Sequence, residues 1–162
     1  MSTAPLQVLT IGLQDEIFAV ETDRVHEVLD QVPITPVPNS RTFVRGLINV
    51  RGKVVPVADL RLRFGMKTGE VTRDTRIVVM DVFIDGEPTL VGTLADRVYA
   101  VTEVAAASME EAPRIGMKWR AEFVRAIGKR KDEFIIILDI DRVFATDETA
   151  YIGSKPPEAG SP

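Results

Sequence analysis

Apolar positions along the chain fall into short runs divided by turn residues, and no long stretch keeps the 3.6-residue spacing of an amphipathic helix. Leu6 to Leu13 partly alternates and predicts a strand, Gln14-Asp15-Glu16 a turn, and Ile17 to Val20 the returning strand. Thr22-Asp23 supplies cap chemistry for a short turn. Val25, Val28, Leu29 and Val32 then lie at helix-compatible spacings, although Val25 and Val28 equally begin a strand. Pro33, Pro36 and Pro38 forbid regular helix and predict an extended linker ending at Asn39-Ser40.

The pattern is densest from Phe43 to Gly65. Leu47 to Val50, apolar apart from Asn49, and Val54 to Ala58 read as two strands joined by the turn Arg51-Gly52-Lys53, where Gly52 permits a positive φ. Pro56 donates no ladder hydrogen bond, which predicts an edge strand or a bulge. Asp59 is placed to cap a helical turn over Leu60 to Phe64, with Gly65 as its left-handed end. Gly46 and Gly52 are read as structural turn residues that hold the backbone.

Met66 to Asp74 is polar and predicts a mobile surface loop. Thr75 to Ile84 is the strongest strand, Asp85-Gly86 a hairpin turn, and Thr89 to Leu94 its return. Val98 to Ala105 predicts another strand, Ser108 to Pro113 an acidic linker, Phe134 to Ile140 a buried strand, and Asp139 to Ala145 a closing helical turn. From Thr146 onward the composition predicts a disordered tail.

These segments repeat. Phe43-Val-Arg-Gly-Leu aligns without gaps on Phe123-Val-Arg-Ala-Ile, an offset of 80 that also sets Val54 to Val57 on Phe134 to Ile137, Asp59 on Asp139 and Phe64 on Phe144. At an offset of 73, Asp23-Arg-Val-His-Glu-Val matches Asp96-Arg-Val-Tyr-Ala-Val. Two matches in the same order indicate a duplication. Short strands at regular spacing with few helices predict small closed barrels. The expected fold is mainly β: two packed five-stranded β-barrels with short helical turns.

Charge is distributed unevenly. The 162 residues carry a formal net charge of −4, yet Arg41 to Lys67 holds seven basic residues and the single acid Asp59, and Arg114 to Lys131 holds seven against Glu122. Three readings remain open: solvated faces with acidic partners, a nucleic-acid surface, or a protein-docking rim. The basic stretches lack interleaved aromatics, which counts against nucleic acid. Arg51, at a tight turn between apolar strands, reaches either a partner or one of the chain's own carboxylates, such as Glu27.

Little else points to chemistry. Absent cysteines exclude disulfides and thiolate sites, and the lone His26 excludes a multi-histidine metal site. His26 reads as a surface or half-buried residue. There is no Gly-x-Ser-x-Gly elbow, dinucleotide fingerprint, Walker pattern or EF-hand spacing. Asp139 and Asp141 fit capping at a helical turn better than acid–base work. No enzyme, cofactor or metal is expected. No apolar run approaches the roughly 20 residues of a membrane span, so direct membrane insertion is not expected either.

The stretch Phe43-Val-x-Gly-x-Ile-Asn-x-Arg-Gly-x-Val-Val-Pro-Val-x-Asp-Leu-Arg-x-Arg-Phe-Gly65 resembles the signature of the CheW family, coupling proteins of bacterial chemotaxis. Phe18-Ala-Val-Glu, Val25-x-Glu27-Val28-Leu29, Ile34-Thr-x-Val-Pro38, Thr75-Arg-Ile-Val-Val, Val91-Gly92 with Asp96-x-Val98, and Ile135 to Asp139 extend the similarity over about residues 6–146. It implies two SH3-like barrels in one domain over 1–146, intertwined by duplication, with 147–162 as a flexible tail. It also implies a non-catalytic adaptor, cytoplasmic and at receptor arrays, that binds the cytoplasmic hairpin tip of chemoreceptors and the regulatory domain of the histidine kinase CheA. Receptor contacts are implied for Val25, Glu27, Asn49 and Arg51, and kinase contacts for Asp85, Gly86, Val98, Tyr99 and Val101. Thr93, Ala95, Ala126 and the Ala105–Ala107 run depart from the family pattern, all in the second half. Alternatives are an adaptor of another sensory pathway, such as gliding or twitching, or a barrel that binds nucleic acid or a small ligand.

Overall fold

The structure, a computed structural model, describes residues 4–38, 43–111, 121–130 and 133–144. The predicted tail, Asn39-Ser40, Pro113 and the basic residues Arg41, Arg114, Lys118, Arg120 and Lys131 lie outside them. The strands are β1 (Leu6–Leu13), β2 (Glu16–Glu21), β3 (Val25–Leu29), β4 (Val44–Val50), β5 (Lys53–Ala58), β6 (Arg76–Ile84), β7 (Glu87–Ala95), β8 (Arg97–Val104), β9 (Met109–Glu110), β10 (Val124–Arg130) and β11 (Glu133–Leu138). Two short helices, α1 (Leu60–Arg63) and α2 (Ile140–Phe144), follow β5 and β11.

Turn chemistry sets the local structure. Arg51 and Gly52 both adopt positive φ (51° and 85°), as do Asp85 and Gly86 (54° and 80°), so both hairpins close through two-residue turns whose twist matches that of the strands. The Asp59 carboxylate accepts from the Arg61 N–H, starting α1, and Gly65 leaves the helix at φ 74°. Asp139 does the same at α2, accepting from the Arg142 N–H. The backbone N–H of Asp59 donates to Phe43 O at 2.7 Å, and that of Asp139 to Phe123 O at 2.8 Å. The duplication read at an offset of 80 is therefore also a duplication of hydrogen bonds.

The sheets exchange material between the two copies. The five-stranded sheet has the order β3-β6-β7-β5-β4, and the six-stranded sheet β8-β1-β2-β11-β10-β9. Each opening hairpin, β1–β2 or β6–β7, thus completes the sheet built by the other copy's later strands. The two parallel contacts correspond: Val57 pairs Gly92 in one sheet, and Ile137 pairs Ala19 in the other.

Of the two readings left open for residues 25–29 the structure has the strand, because β3 pairs along β6 from Met80 to Ile77. Two sequence expectations need correction. Pro56 lies on an interior strand, between β7 and β4; its missing N–H is tolerated because the parallel contact with β7 begins only at Val57. The second sheet has six strands rather than five, its extra member being the two-residue β9. The first sheet has the counterpart of β9 as a single bridge, Thr35 to Leu47, from the proline segment.

Burial follows this architecture. Ile48, Val50, Val55, Val57, Ile77, Val79 and Leu94 fill one face of the five-stranded sheet, and Val8, Ala19, Val104, Ile135 and Ile137 one face of the other. The opposite faces share a central core that includes Ile11, Phe18, Met80, Val91 and Leu138. Phenylalanines interlock across it. Phe43 meets Phe144 (ring centroids 6.4 Å apart) and Phe123 meets Phe64 (5.7 Å), so each copy's Phe-Val-Arg element packs on the other copy's helix. Each such pair adds about 0.5–1.5 kcal/mol beyond its buried area. The Arg63 guanidinium lies over both Phe43 and Phe123 and donates to Val143 O at 3.0 Å, joining α1 to α2.

Candidate docking groove

The four residues assigned to receptor contact are placed by the curl of the five-stranded sheet. β3 and β4 are its edges, yet the segment after β3 bridges onto β4 and Glu27 on β3 forms an ion pair with Arg51 in the β4–β5 turn. Glu27 is largely enclosed, with a side chain 17% exposed, while Arg51 is 74% exposed. The guanidinium is anchored by its own chain, the internal reading of Arg51, and remains largely exposed. Asn49 stabilises the same turn by accepting from the Gly52 N–H at 2.7 Å. Val25 stands apart. A bulge between Val25 and Glu27 moves Val25 to the opposite face, where it packs against the central core.

Beside this rim lies a furrow of about 420 Å³ lined by Val32, Pro33, Thr35, Leu47, Ile48, Asn49 and Val54. A second furrow of about 380 Å³ runs along Lys53, Val54, Pro56, Asp81, Pro88, Thr89 and Leu90. Val54 belongs to both and is 68% exposed, forming an apolar ridge between them. Its repeat counterpart Phe134 is likewise exposed, at 64%. Sequence reading missed both, since a Val or Phe inside a strand reads as core. For Val54 the available signal was position, two residues after the Arg51-Gly52 turn.

Gly46 explains why the furrow has a fixed wall. Its φ is 152°, and a Cβ there would lie 2.2 Å from Thr35 O. Only glycine lets the proline segment cross β4 this closely, with reciprocal Thr35–Leu47 hydrogen bonds of 2.8 Å.

The residues assigned to kinase contact occupy two places. Asp85 and Gly86 form the tip of the β6–β7 hairpin. Val98, Tyr99 and Val101 lie on β8, an edge strand of the six-stranded sheet. Val98 packs on the central core, Tyr99 lies over Gly12, and Val101 is exposed. His26 is half exposed, its Nδ1 3.8 Å from an Asp81 carboxylate oxygen.

The basic stretches divide among carboxylates. Arg45 pairs with Asp59, Arg51 with Glu27, Arg125 with Glu21 and Lys129 with Glu110. Arg61 is buried and held by both Asp59 oxygens (2.8 and 2.9 Å) and by Asp96 at 2.8 Å. Burial acts to raise the Asp59 carboxyl, but hydrogen bonds and charge from Arg61, with Arg45 behind, hold it below the ordinary carboxylate range. Asp141 is also lowered: partial burial opposes the shift, while Arg24 and the Phe83 N–H outweigh it. Arg61 and Asp96 were not singled out from the sequence, because an arginine within a basic run reads as solvated.

A family description, the CheW-like domain, matches residues 7–148. The chain belongs to the CheW family. Chemotaxis protein CheW of Rhizobium meliloti is 30% identical over 142 residues, covering 88% of this chain and 89% of that protein. Chemotaxis protein CheW of Thermotoga maritima is 30% identical, with 85% and 86% covered. The crystal structure of the scaffolding protein TtCheW from Thermoanaerobacter tengcongensis superposes with a TM-score of 0.79 at 32% identity, covering 90% of this chain and 92% of that one. Membership in this family makes the chain a non-catalytic chemotaxis adaptor of mainly β fold.

Proposed function

We propose that this CheW-family chain couples chemoreceptors to the histidine kinase CheA by holding them on two separate surfaces. The receptor hairpin lies along the Val54 ridge, with its apolar side chains in the flanking furrows and its polar ones against Asn49 and the Glu27–Arg51 pair. The observation that carries this reading is the exposed Val54 ridge and the apolar furrow beside it, next to an anchored and largely exposed arginine. Val25 contributes from beneath, by fixing β3 on the central core. The kinase regulatory domain takes β8, whose free edge carries exposed Tyr99 and Val101, together with the Asp85-Gly86 tip. Simultaneous engagement raises the local concentration of one partner near the other. Among the described residues no helix is long and apolar enough to cross a membrane.

Arg51→Glu tests the receptor surface. The exposed ion pair contributes about 0.2–1 kcal/mol to stability, so the variant stays folded. Receptor control of kinase activity in reconstituted arrays is expected to be lost while binding to the kinase domain persists. Normal control by folded Arg51→Glu and Val54→Glu proteins would rule this surface out as the receptor site.

A further inference from the structure

The duplication allows the two copies to be compared site by site, and one buried cation has no counterpart. In the first copy, Arg61 fills the space between Asp59 and Asp96, with Arg45 also on Asp59. The equivalents of Asp59, Asp96 and Arg45 are Asp139, Asp23 and Arg125, all of the same residue type. The equivalent of Arg61 is Asp141. Its shorter side chain turns to Arg24 and to the Phe83 N–H, which joins α2 to the β2–β3 corner with charges reversed.

A surface cleft of about 300 Å³ results, lined by Glu21, Asp23, Arg24, Arg125, Leu138, Asp139 and Ile140. Both lining arginines are engaged, Arg125 by Glu21 and Arg24 by Asp141. Two further carboxylates remain. Asp23 forms no ion pair within 4 Å among the described residues, although its charge acts on the neighbouring Arg24. Asp139 accepts the Arg142 N–H on Oδ1 and has the Arg142 Nε 3.7 Å from Oδ2, a long, largely exposed pair that an entering group can displace. These two are the counterparts of the carboxylates that grip Arg61.

We propose that this cleft is an arginine-binding pocket that receives the guanidinium of an arginine presented by a partner protein, in the position that Arg61 fills within the other copy. The occupied site is the internal precedent for both the ligand and its orientation: planar, bidentate on the helix-capping aspartate, with a third contact to the Asp-Arg corner. An anion is disfavoured because both lining arginines are already neutralised, and lysine cannot reproduce the fork. The proposal is independent of the receptor and kinase surfaces.

The test is amide NMR on the whole protein, titrated to millimolar concentration with arginine blocked at both termini, and in parallel with blocked citrulline, its neutral isostere. Saturable shifts at residues 22–25 and 139–142 with arginine alone are expected. Asp23→Asn and Asp139→Asn should each weaken them about tenfold, as loss of one charged hydrogen-bond partner does. Asparagine still caps α2, so the second variant keeps its fold. No saturable shift with arginine, equal response to citrulline, or arginine binding unchanged in both variants would each overturn the proposal. So would stronger binding of unblocked arginine or of inorganic phosphate at the cleft.

Discussion

Asp59 and Arg61 are two positions apart in the chain, and together they take a full charge pair out of water at the junction of the two copies. Removing one partner leaves the other buried and uncompensated, so Asp59→Asn is expected to cost about 3–5 kcal/mol in urea unfolding, nearer the lower figure because Asp96 still holds Arg61. The pH dependence has a definite sign. The carboxyl of Asp59 is lowered in the folded protein, so its contribution is present above the ordinary carboxylate pKa of about 4 and is lost as pH falls through the lower folded value. Acid unfolding monitored by circular dichroism should therefore begin below about pH 4, and the Asp59→Asn protein, weaker at neutral pH, should lose less on acidification. Thr93 offers the opposite case. It is fully buried, its hydroxyl has no partner among the described residues, and its repeat counterpart is the buried Val20. Thr93→Val is expected to raise stability by about 1 kcal/mol in the same denaturation measurement. Of these residues, sequence reading recovered the capping role of Asp59, a local property. It missed the burial of Arg61, because the second carboxylate, Asp96, comes from the other copy.

At the scale of elements, the two Phe-Val-Arg units differ by one residue with structural weight. Both β4 and β10 carry a bulge after their first valine, yet the first has Gly46 where the second has Ala126. Both are crossed next to this position, by the bridge at Leu47 and by β9 at its counterpart Ile127, but the proline segment comes so close that a Cβ at position 46 would lie 2.2 Å from Thr35 O. Gly46→Ala combines a clash with Thr35 O and an unfavourable φ, and should cost on the order of 3 kcal/mol in urea unfolding. At Gly52 a Cβ would meet nothing within 4 Å, and Gly52→Ala should cost about 1 kcal/mol through its φ of 85° alone. Hairpins and caps were legible because turn chemistry is local and stereospecific. The interior position of Pro56 was not, because the strand beside it is set by a parallel contact from the other copy.

For the whole molecule, the repeat was visible in the sequence but the exchange of hairpins was not. Similarity says which segments resemble each other, whereas pairing depends on which copy supplies the neighbour. Since each sheet draws on both copies, neither half has a complete sheet by itself. Fragments ending and beginning in the polar 67–74 loop should each be largely unfolded alone by circular dichroism and regain strand signal when mixed; two independently folded fragments would contradict the exchanged topology. The same exchange packs both sheets on one central core. The most direct test of the coupling function is a titration of this protein with the isolated regulatory domain of CheA, followed by a soluble fragment of the receptor tip. Saturable binding to both is expected, with the second partner adding to the first in a ternary complex. Mutual exclusion of the two, or binding of neither by the folded protein, would contradict coupling through two separate surfaces.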